Sequence, residues 1–237
     1  DIPDYEEITK DLSCEIITCG LEHTADYMAK NITFDEFAHA SFDCVKGDEV
    51  LGRFSLSVPG VHNAANALSA IALGEKLGLS IEDIQKGLLH FGGTDRRFQY
   101  KGKVGGVTII DDYAHHPTEI AATLRTAKNY PHRTTWCVFQ PHTYTRTKAL
   151  MHEFAEALTL ADKVVLADIY AARETDNLGI SSQNLRDLVA SLGTDAYYFS
   201  TFDEIEEFLL KNCIHDDLLI TMGAGDVYKI GENLLGM

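Results

Sequence analysis

Two periodicities divide the chain. In its first part, the short runs CEIITCG, DYMAKNITF, HASFDCV and VLGRFSLSV alternate apolar and polar positions and are joined by turn formers such as KGDE. A period of two with turn residues between the runs predicts antiparallel strands. Two stretches with a helical period follow. One is HNAANALSAIALGEKLGL from His62; the other is IEDIQKGLLHF, with Ser80 placed to cap its start. The pattern changes at FGGTDRRF, Phe91 to Phe98, and from there strands and helices alternate. GGVTIIDD, TTWCVFQ, DKVVLADI, AYYFS and DLLITM read as strands. PTEIAATLRTAKNY, TRTKALMHEFAEALTLA, the segment around SQNLRDLVASLG, FDEIEEFLLKN and a last segment at the C-terminus read as helices. Pro117 fits the first helical position, where its missing N–H costs nothing.

Strands alternating with helices of this length imply βαβ units and a parallel sheet. The expected fold class is therefore α/β. A doubly wound, mostly parallel sheet with flanking helices is expected from about residue 98, preceded by antiparallel strands plus two helices, with FGGTDRR as the hinge. A length of 237 residues and an apolar content of 45% allow real cores in both parts. A formal charge of −16 argues against wholesale binding to nucleic acid, which needs clustered cations to neutralise phosphates. No apolar run approaches the roughly 18 residues needed to span a bilayer, and the acidic start DIPDYEEITK lacks the charge pattern of a secretory signal, so a cytoplasmic protein with no membrane partner is expected. The five cysteines, Cys14, Cys19, Cys44, Cys137 and Cys213, form no C-x-x-C pair and are expected to be reduced core residues.

In an open parallel sheet, ligands bind outside the carboxyl ends of the strands. Four loops at those ends hold most of the unusual polar residues: DDYAHH, QPHTYTR, YAARETD and GAGD. Adjacent carboxylates and imidazoles in DDYAHH suit acid/base work, metal ligation or hydrogen bonds to a ribose and phosphate, while Asp112 and His116 can also simply cap the next helix. A metal site from Asp112, His115 and His142 is the weaker reading, because histidine spacing alone says little. His142 and Arg146 lie four residues apart at a helix start, where an arginine suits a carboxylate or phosphate. GAGD lacks the third glycine of a dinucleotide fingerprint and reads as a tight strand-to-helix turn. In the first part, Asn63 and Asn66 sit one turn apart in PGVHNAANA. Asn63 is a natural cap, and the two amides together can read a nucleobase edge. Arg96 and Arg97 in the hinge are either solvated or reach a phosphate.

PGVHNAAN, GTDRRF, IIDDYAHHPTE and FQPHTYTRT, in that order, resemble the Mur ligases, and among them most closely the branch that joins L-alanine to UDP-N-acetylmuramate. The likeness runs from about Pro59 to the C-terminus. It implies the second half of the family's central ATP-binding domain in residues 1–93 and its C-terminal, Rossmann-like domain in 94–237. It also implies an ATP-dependent reaction in which the lactyl carboxylate of the sugar nucleotide is phosphorylated and the amine of L-alanine attacks the acyl phosphate. The expected ligands are ATP, Mg²⁺, UDP-N-acetylmuramate and L-alanine. Carried over by motif, catalysis falls to Asp112, His115 and Arg97. Nucleotide binding falls to Asn63, Asn66, Arg97, Asp112 and Tyr113, with adenine at the two asparagines. Substrate binding falls to His115, His116, His142 and Arg146.

Two departures shape the expectation. Thr143 stands where some alanine ligases carry an additional arginine, which shifts carboxylate recognition toward Arg146. No G-x-x-x-x-G-K-[ST] loop occurs, since Gly102-Lys103 is followed by Val104. The chain is thus expected to be a piece of the ligase, inactive alone, weak toward ATP, and with no metal ligands of its own, those for Mg²⁺ lying in the missing part. Two other readings stay open: a murein tripeptide ligase of the same family, and a non-catalytic Rossmann-like binding module. An oxidoreductase is disfavoured, because DDYAHH stands where its glycine loop belongs.

Overall fold

A computed structural model describes residues 1–2 and 4–237. The chain separates into two compact units, Asp1–Gly93 and Thr94–Met237.

The first unit opens with a short exposed helix, α1 (Tyr5–Thr9). Its four-stranded sheet runs β1 (Cys19–Gly20), β2 (Tyr27–Phe34), β3 (His39–Lys46) and β4 (Glu49–Pro59), paired in that order. CEIITCG, expected as an antiparallel strand, contributes only Cys19–Gly20, and that pair runs parallel to β2. Thr18 explains the shortfall: its N–H and hydroxyl both donate to the Asp26 carboxylate at 2.8 Å, so its donors serve a local turn rather than a sheet partner. α2 (Val61–Lys76) buries Ala64, Ala67, Leu68, Ile71 and Ala72 against Phe42, Phe54 and Leu56 of the strands. α3 (Ile81–His90) begins at Ser80, whose hydroxyl accepts from the Asp83 N–H at 3.1 Å, as the sequence predicts.

The second unit holds a six-stranded sheet in the order β5-β6-β10-β7-β8-β9. Its strands are β5 (Gln99–Val104), β6 (Val107–Asp112), β7 (Thr135–Phe139), β8 (Lys163–Leu166), β9 (Asp195–Tyr198) and β10 (Leu218–Met222). All pairs are parallel except β5 with β6. The sequence pattern did not show β5. Gly105 and Gly106, expected as the start of a strand, have φ of +58° and +85° and make the two-residue turn between β5 and β6.

Residues alternate between the two faces of the sheet. Ile110, Cys137, Phe139, Val164, Leu166 and Ile220 pack beneath α4 (Pro117–Ala127), α6 (Met151–Leu158) and α7 (Ser182–Ser191). Ile109, Trp136, Val138, Val165 and Leu219 pack beneath α8 (Phe202–Asn212) and α9 (Tyr228–Leu235). The helix expected through TRTKALMHEFAEALTLA is two: α5 (Tyr144–Ala149) precedes α6, with Leu150 off the helical region at φ −118°, ψ 27°. Leu150 and Met151, on either side of the break, both pack against the core beneath α4, α6 and α7.

The register levels the carboxyl ends. Asp112 pairs with Met222, Met222 with Phe139, Phe139 with Leu166, and Leu166 with Tyr198. The loops that follow therefore leave the sheet from one line. Of the cysteines, Cys44 and Cys137 are buried, Cys19 and Cys213 half-buried and Cys14 exposed, all as free thiols.

At the opposite end of the sheet, buried Asp217 accepts from the Trp136 indole N–H at 3.0 Å and from the Ile214 N–H at 3.0 Å. Removing the acceptor leaves these two donors, and the Arg133 guanidinium 3.4 Å from the other Asp217 oxygen, without a partner. Asp217→Ala is expected to cost about 2–4 kcal/mol in urea unfolding, and a cycle with Trp136→Phe is expected to recover about 1 kcal/mol of it.

Candidate functional site

The site is built around the hinge arginine Arg96. Its Nε donates to Asp111 Oδ2 at 2.8 Å, and its two terminal nitrogens donate to the carbonyls of Gly225 at 3.1 Å and Gly223 at 2.7 Å. The guanidinium also lies 4.9 Å from the ring centre of Tyr113 and 4.7 Å from that of Tyr228. Asp111 is 1% exposed and its other oxygen accepts from the Thr221 hydroxyl at 2.8 Å. Arg96 is thus neither solvated nor free for a phosphate; it ties the hinge to β6 and to the GAGD turn. That turn needs glycine at Gly223, where φ is +147° and a Cβ would lie 2.7 Å from the Gln140 carbonyl.

Asp112 ends β6 and lies beneath the loop that follows it. Only 4% of it is exposed, and its two oxygens accept from the N–H groups of Phe98 and Ala114, each at 2.8 Å. Burial pushes its carboxyl up from the ordinary range, and the N–H groups of Ala114 and Phe98 and the Thr123 hydroxyl pull it part of the way back. Its contacts are with the backbone N–H groups of Phe98 and Ala114 and with the Thr123 hydroxyl, so in this arrangement it fixes the Arg96–Phe98 segment and the YAHH turn from beneath.

Above that support four rings stand in a row across three loops. Tyr113 meets His115 edge-on at 5.4 Å, His115 lies 6.2 Å from His142, and His142 stacks on Tyr170 at 5.4 Å with 13° between the planes. The His115 N–H donates to Glu119 Oε2 at 3.1 Å, and its ring Nδ1 lies 3.0 Å from the Tyr113 carbonyl. Arg146 donates to the His142 carbonyl at 2.8 Å, so the pair four residues apart meets through the backbone. Burial lowers the His142 imidazole below its ordinary value, and the charges of Arg146 and His115 lower it further. Glu174 closes the row by accepting from the Thr145 N–H at 3.1 Å.

Other expected residues fall at the margins. His116 is exposed and caps α4, with its ring Nδ1 3.4 Å from the Thr118 N–H, so the capping role raised for it is the one its contacts serve. Arg97 is exposed, 3.9 Å from Glu119. Asn63 and Asn66 lie in the first unit. The cap of α2 is Gly60 rather than Asn63; Asn63 donates to the Pro59 carbonyl at 2.8 Å, and Asn66 donates to Asn63 Oδ1 at 3.1 Å. Both edge a cavity of about 350 Å³ whose other walls are Leu56, Val58, Ala67, Ala70, Leu88 and Phe91. An apolar slot with amides on one edge suits a flat heteroaromatic ring. Among the described residues no three His, Cys, Asp or Glu side chains converge to hold a metal, so the set Asp112, His115 and His142 does not form one. The sequence reading passed over Tyr170. Its only signal was its place, right after the apolar run of β8 on the ligand-binding edge.

The second unit is thus a doubly wound α/β domain with imidazoles and an arginine on its carboxyl edge, and the first unit carries an amide-edged slot. Comparison with known proteins makes this specific. Residues 96–225 match the family described as Mur ligase, glutamate ligase domain, and residues 1–74 match the Mur ligase middle domain. The chain belongs to the Mur ligase family. It is 57% identical to the UDP-N-acetylmuramate–L-alanine ligase of Agathobacter rectalis over 99% of its own length and 51% of that protein's, and 54% identical to that of Lachnospira eligens over 99% and 51%. The crystal structure of the UDP-N-acetylmuramate-alanine ligase of Thermotoga maritima superposes with a TM-score of 0.78 at 28% identity, covering 93% of this chain and 47% of that one. The chain spans about half the length of the curated relatives it matches.

Two outcomes check the geometry. Arg96→Ala strands the buried Asp111 charge and two carbonyls, and is expected to cost about 3–5 kcal/mol in thermal or urea unfolding, with Arg96→Lys recovering only part of it. For His142 the folded value is depressed, so the stability it contributes is present above the ordinary imidazole value of 6.5 and is lost as pH falls below it. His142→Gln is expected to flatten the pH dependence of unfolding in that window.

Proposed function

We propose that this chain forms part of an ATP-dependent ligase that joins L-alanine to the lactyl carboxylate of UDP-N-acetylmuramate through an acyl phosphate. The observation that carries the reading is His115, His142 and Arg146 on one sheet edge, in a chain whose relatives named for this reaction match it over 99% of its length. Arg146 has a guanidinium at the edge to hold the carboxylate of the incoming amino acid, a role it takes alone where Thr143 stands in place of a second arginine. Tyr113, His115 and His142 supply a wall of rings against which a small apolar side chain can rest. The depressed His142 stays neutral at physiological pH. It therefore does not repel the amine that must lose its proton before attack.

The slot at Asn63 and Asn66 takes the adenine of ATP, the amides reading the ring edge and Leu88 and Phe91 giving it an apolar seat. Arg97, exposed near Glu119 in the second unit, offers a cation of the kind that holds phosphate. Asp112 acts through position, holding the Arg96–Phe98 segment and the YAHH turn in register. Mg²⁺ would neutralise phosphate charge in such a reaction, and among the described residues no set of three His, Cys, Asp or Glu converges to hold it.

Arg146→Ala in the intact ligase tests the reading. The expected result is a fall of about 100-fold in kcat/KM for L-alanine, with the KM for ATP within about twofold of the parent. Near-normal use of L-alanine, or a preference for a preformed tripeptide, would overturn the acceptor assignment.

A further inference from the structure

An imidazole that must present one nitrogen to a ligand is usually oriented by a hydrogen bond to the other. His142 has no such bond: its Nδ1 is buried and without a partner. What fixes the ring plane instead is Tyr170, stacked on it at 5.4 Å with 13° between the planes, while His115 leans on the ring from 6.2 Å. Tyr170 is itself held from three directions. Its N–H donates to the Pro141 carbonyl at 2.8 Å, and it forms an isolated parallel bridge with His142, so the two backbones are tied at the residues whose rings stack. On the remaining side Gly225 has no side chain. A Cβ there would lie 3.0 Å from Tyr170 Cδ2 and would overlap Gln140 Oε1. The loops after β7, β8 and β10 therefore converge to seat one tyrosine ring on one imidazole.

We infer that Tyr170 is a positioning residue that sets the plane of His142 by stacking, in place of a hydrogen bond, and so shapes the wall against which the amino-acid acceptor is held. This rests on the reading of His142 as part of the acceptor end of the ligase site. Several features separate stacking from general structural support. Tyr170 is 40% exposed, so deleting its ring opens no core cavity. Its backbone bridge survives substitution. The ring face is the part that touches His142, so phenylalanine can replace it and leucine cannot.

Three proteins decide the matter: the parent, Tyr170→Phe and Tyr170→Leu. In the 237-residue chain, the carbon-bound ring protons of His142 are expected to carry a ring-current shift in proton–carbon spectra that Tyr170→Leu abolishes and Tyr170→Phe restores. In the intact ligase, Tyr170→Leu is expected to raise the KM for L-alanine about tenfold, with kcat and the KM for ATP changed less than about threefold, and Tyr170→Phe is expected to restore it. Unchanged His142 signals in Tyr170→Leu overturn the proposal. Altered His142 signals with an unaltered KM for L-alanine overturn the placement of His142 at the acceptor end, the reading beneath it.

Discussion

The carboxyl edge of the second unit depends on one buried charge pair. Asp111 sits in the ladder beside β10, where an isolated carboxylate would be far from water, and Arg96 reaches it from the hinge at 2.8 Å. A buried pair of this kind repays its desolvation only when the remaining hydrogen-bonding capacity is also used. Here it is used in a particular way: the two terminal nitrogens of the arginine take the carbonyls of Gly223 and Gly225, and Thr221 takes the second oxygen of Asp111. The same residue accepts the Tyr113 N–H through its own carbonyl at 2.7 Å. One side chain and its backbone thereby lock the hinge, the loop after β6 and the turn after β10 to one another. Asp112 repeats the device one residue on, with two backbone N–H groups and the Thr123 hydroxyl as its donors.

Much of this fold was legible because each core strand buries both faces and each helix follows the strand it covers. What was not legible has local causes. β5 carries half-exposed and exposed residues around two lysines, so its pattern is weak, and only the pair Gly105-Gly106 betrays the hairpin. The run CEIITCG looks like a strand to any periodicity argument, and loses that identity to the Thr18–Asp26 turn, a side-chain contact that periodicity does not encode. The break at Leu150 has no glycine or proline to announce it.

The site was legible to a similar depth. The rule that polar loops gather at the carboxyl ends of parallel strands placed Tyr113, His115, His142 and Arg146 on one edge, and the motifs gave that edge a chemistry. Roles within the loops were less accessible. Asp112 and Asp111 are adjacent carboxylates in sequence, and only packing shows that both are committed to holding the edge together while the imidazoles are the groups presented above it. Arg96 and Arg97 are likewise adjacent, yet one is the clamp and the other faces solvent. The left-handed backbone at Arg96, φ +59°, helps set their different surroundings. Tyr170 is the reverse case, unremarkable as a letter in YAARETD and informative only through the ring it covers. In the first unit the two asparagines gain meaning from Leu88 and Phe91, which lie more than twenty residues away and give the amide pair an apolar wall.

These relations make the carboxyl edge a surface organised before any ligand arrives, which is what an acceptor site for a small amino acid requires. Amide hydrogen exchange on the unliganded chain measures that directly. The amides of Tyr113, Phe98, Ala114 and Gly223, which donate to Arg96, Asp112, Asp112 and Asp112, are expected to exchange as slowly as those in the centre of β10, opening only when the whole unit unfolds. Exchange of these four at the rate of exposed loops, with β10 still protected, would contradict the account, since it would show an edge that takes its shape only on binding.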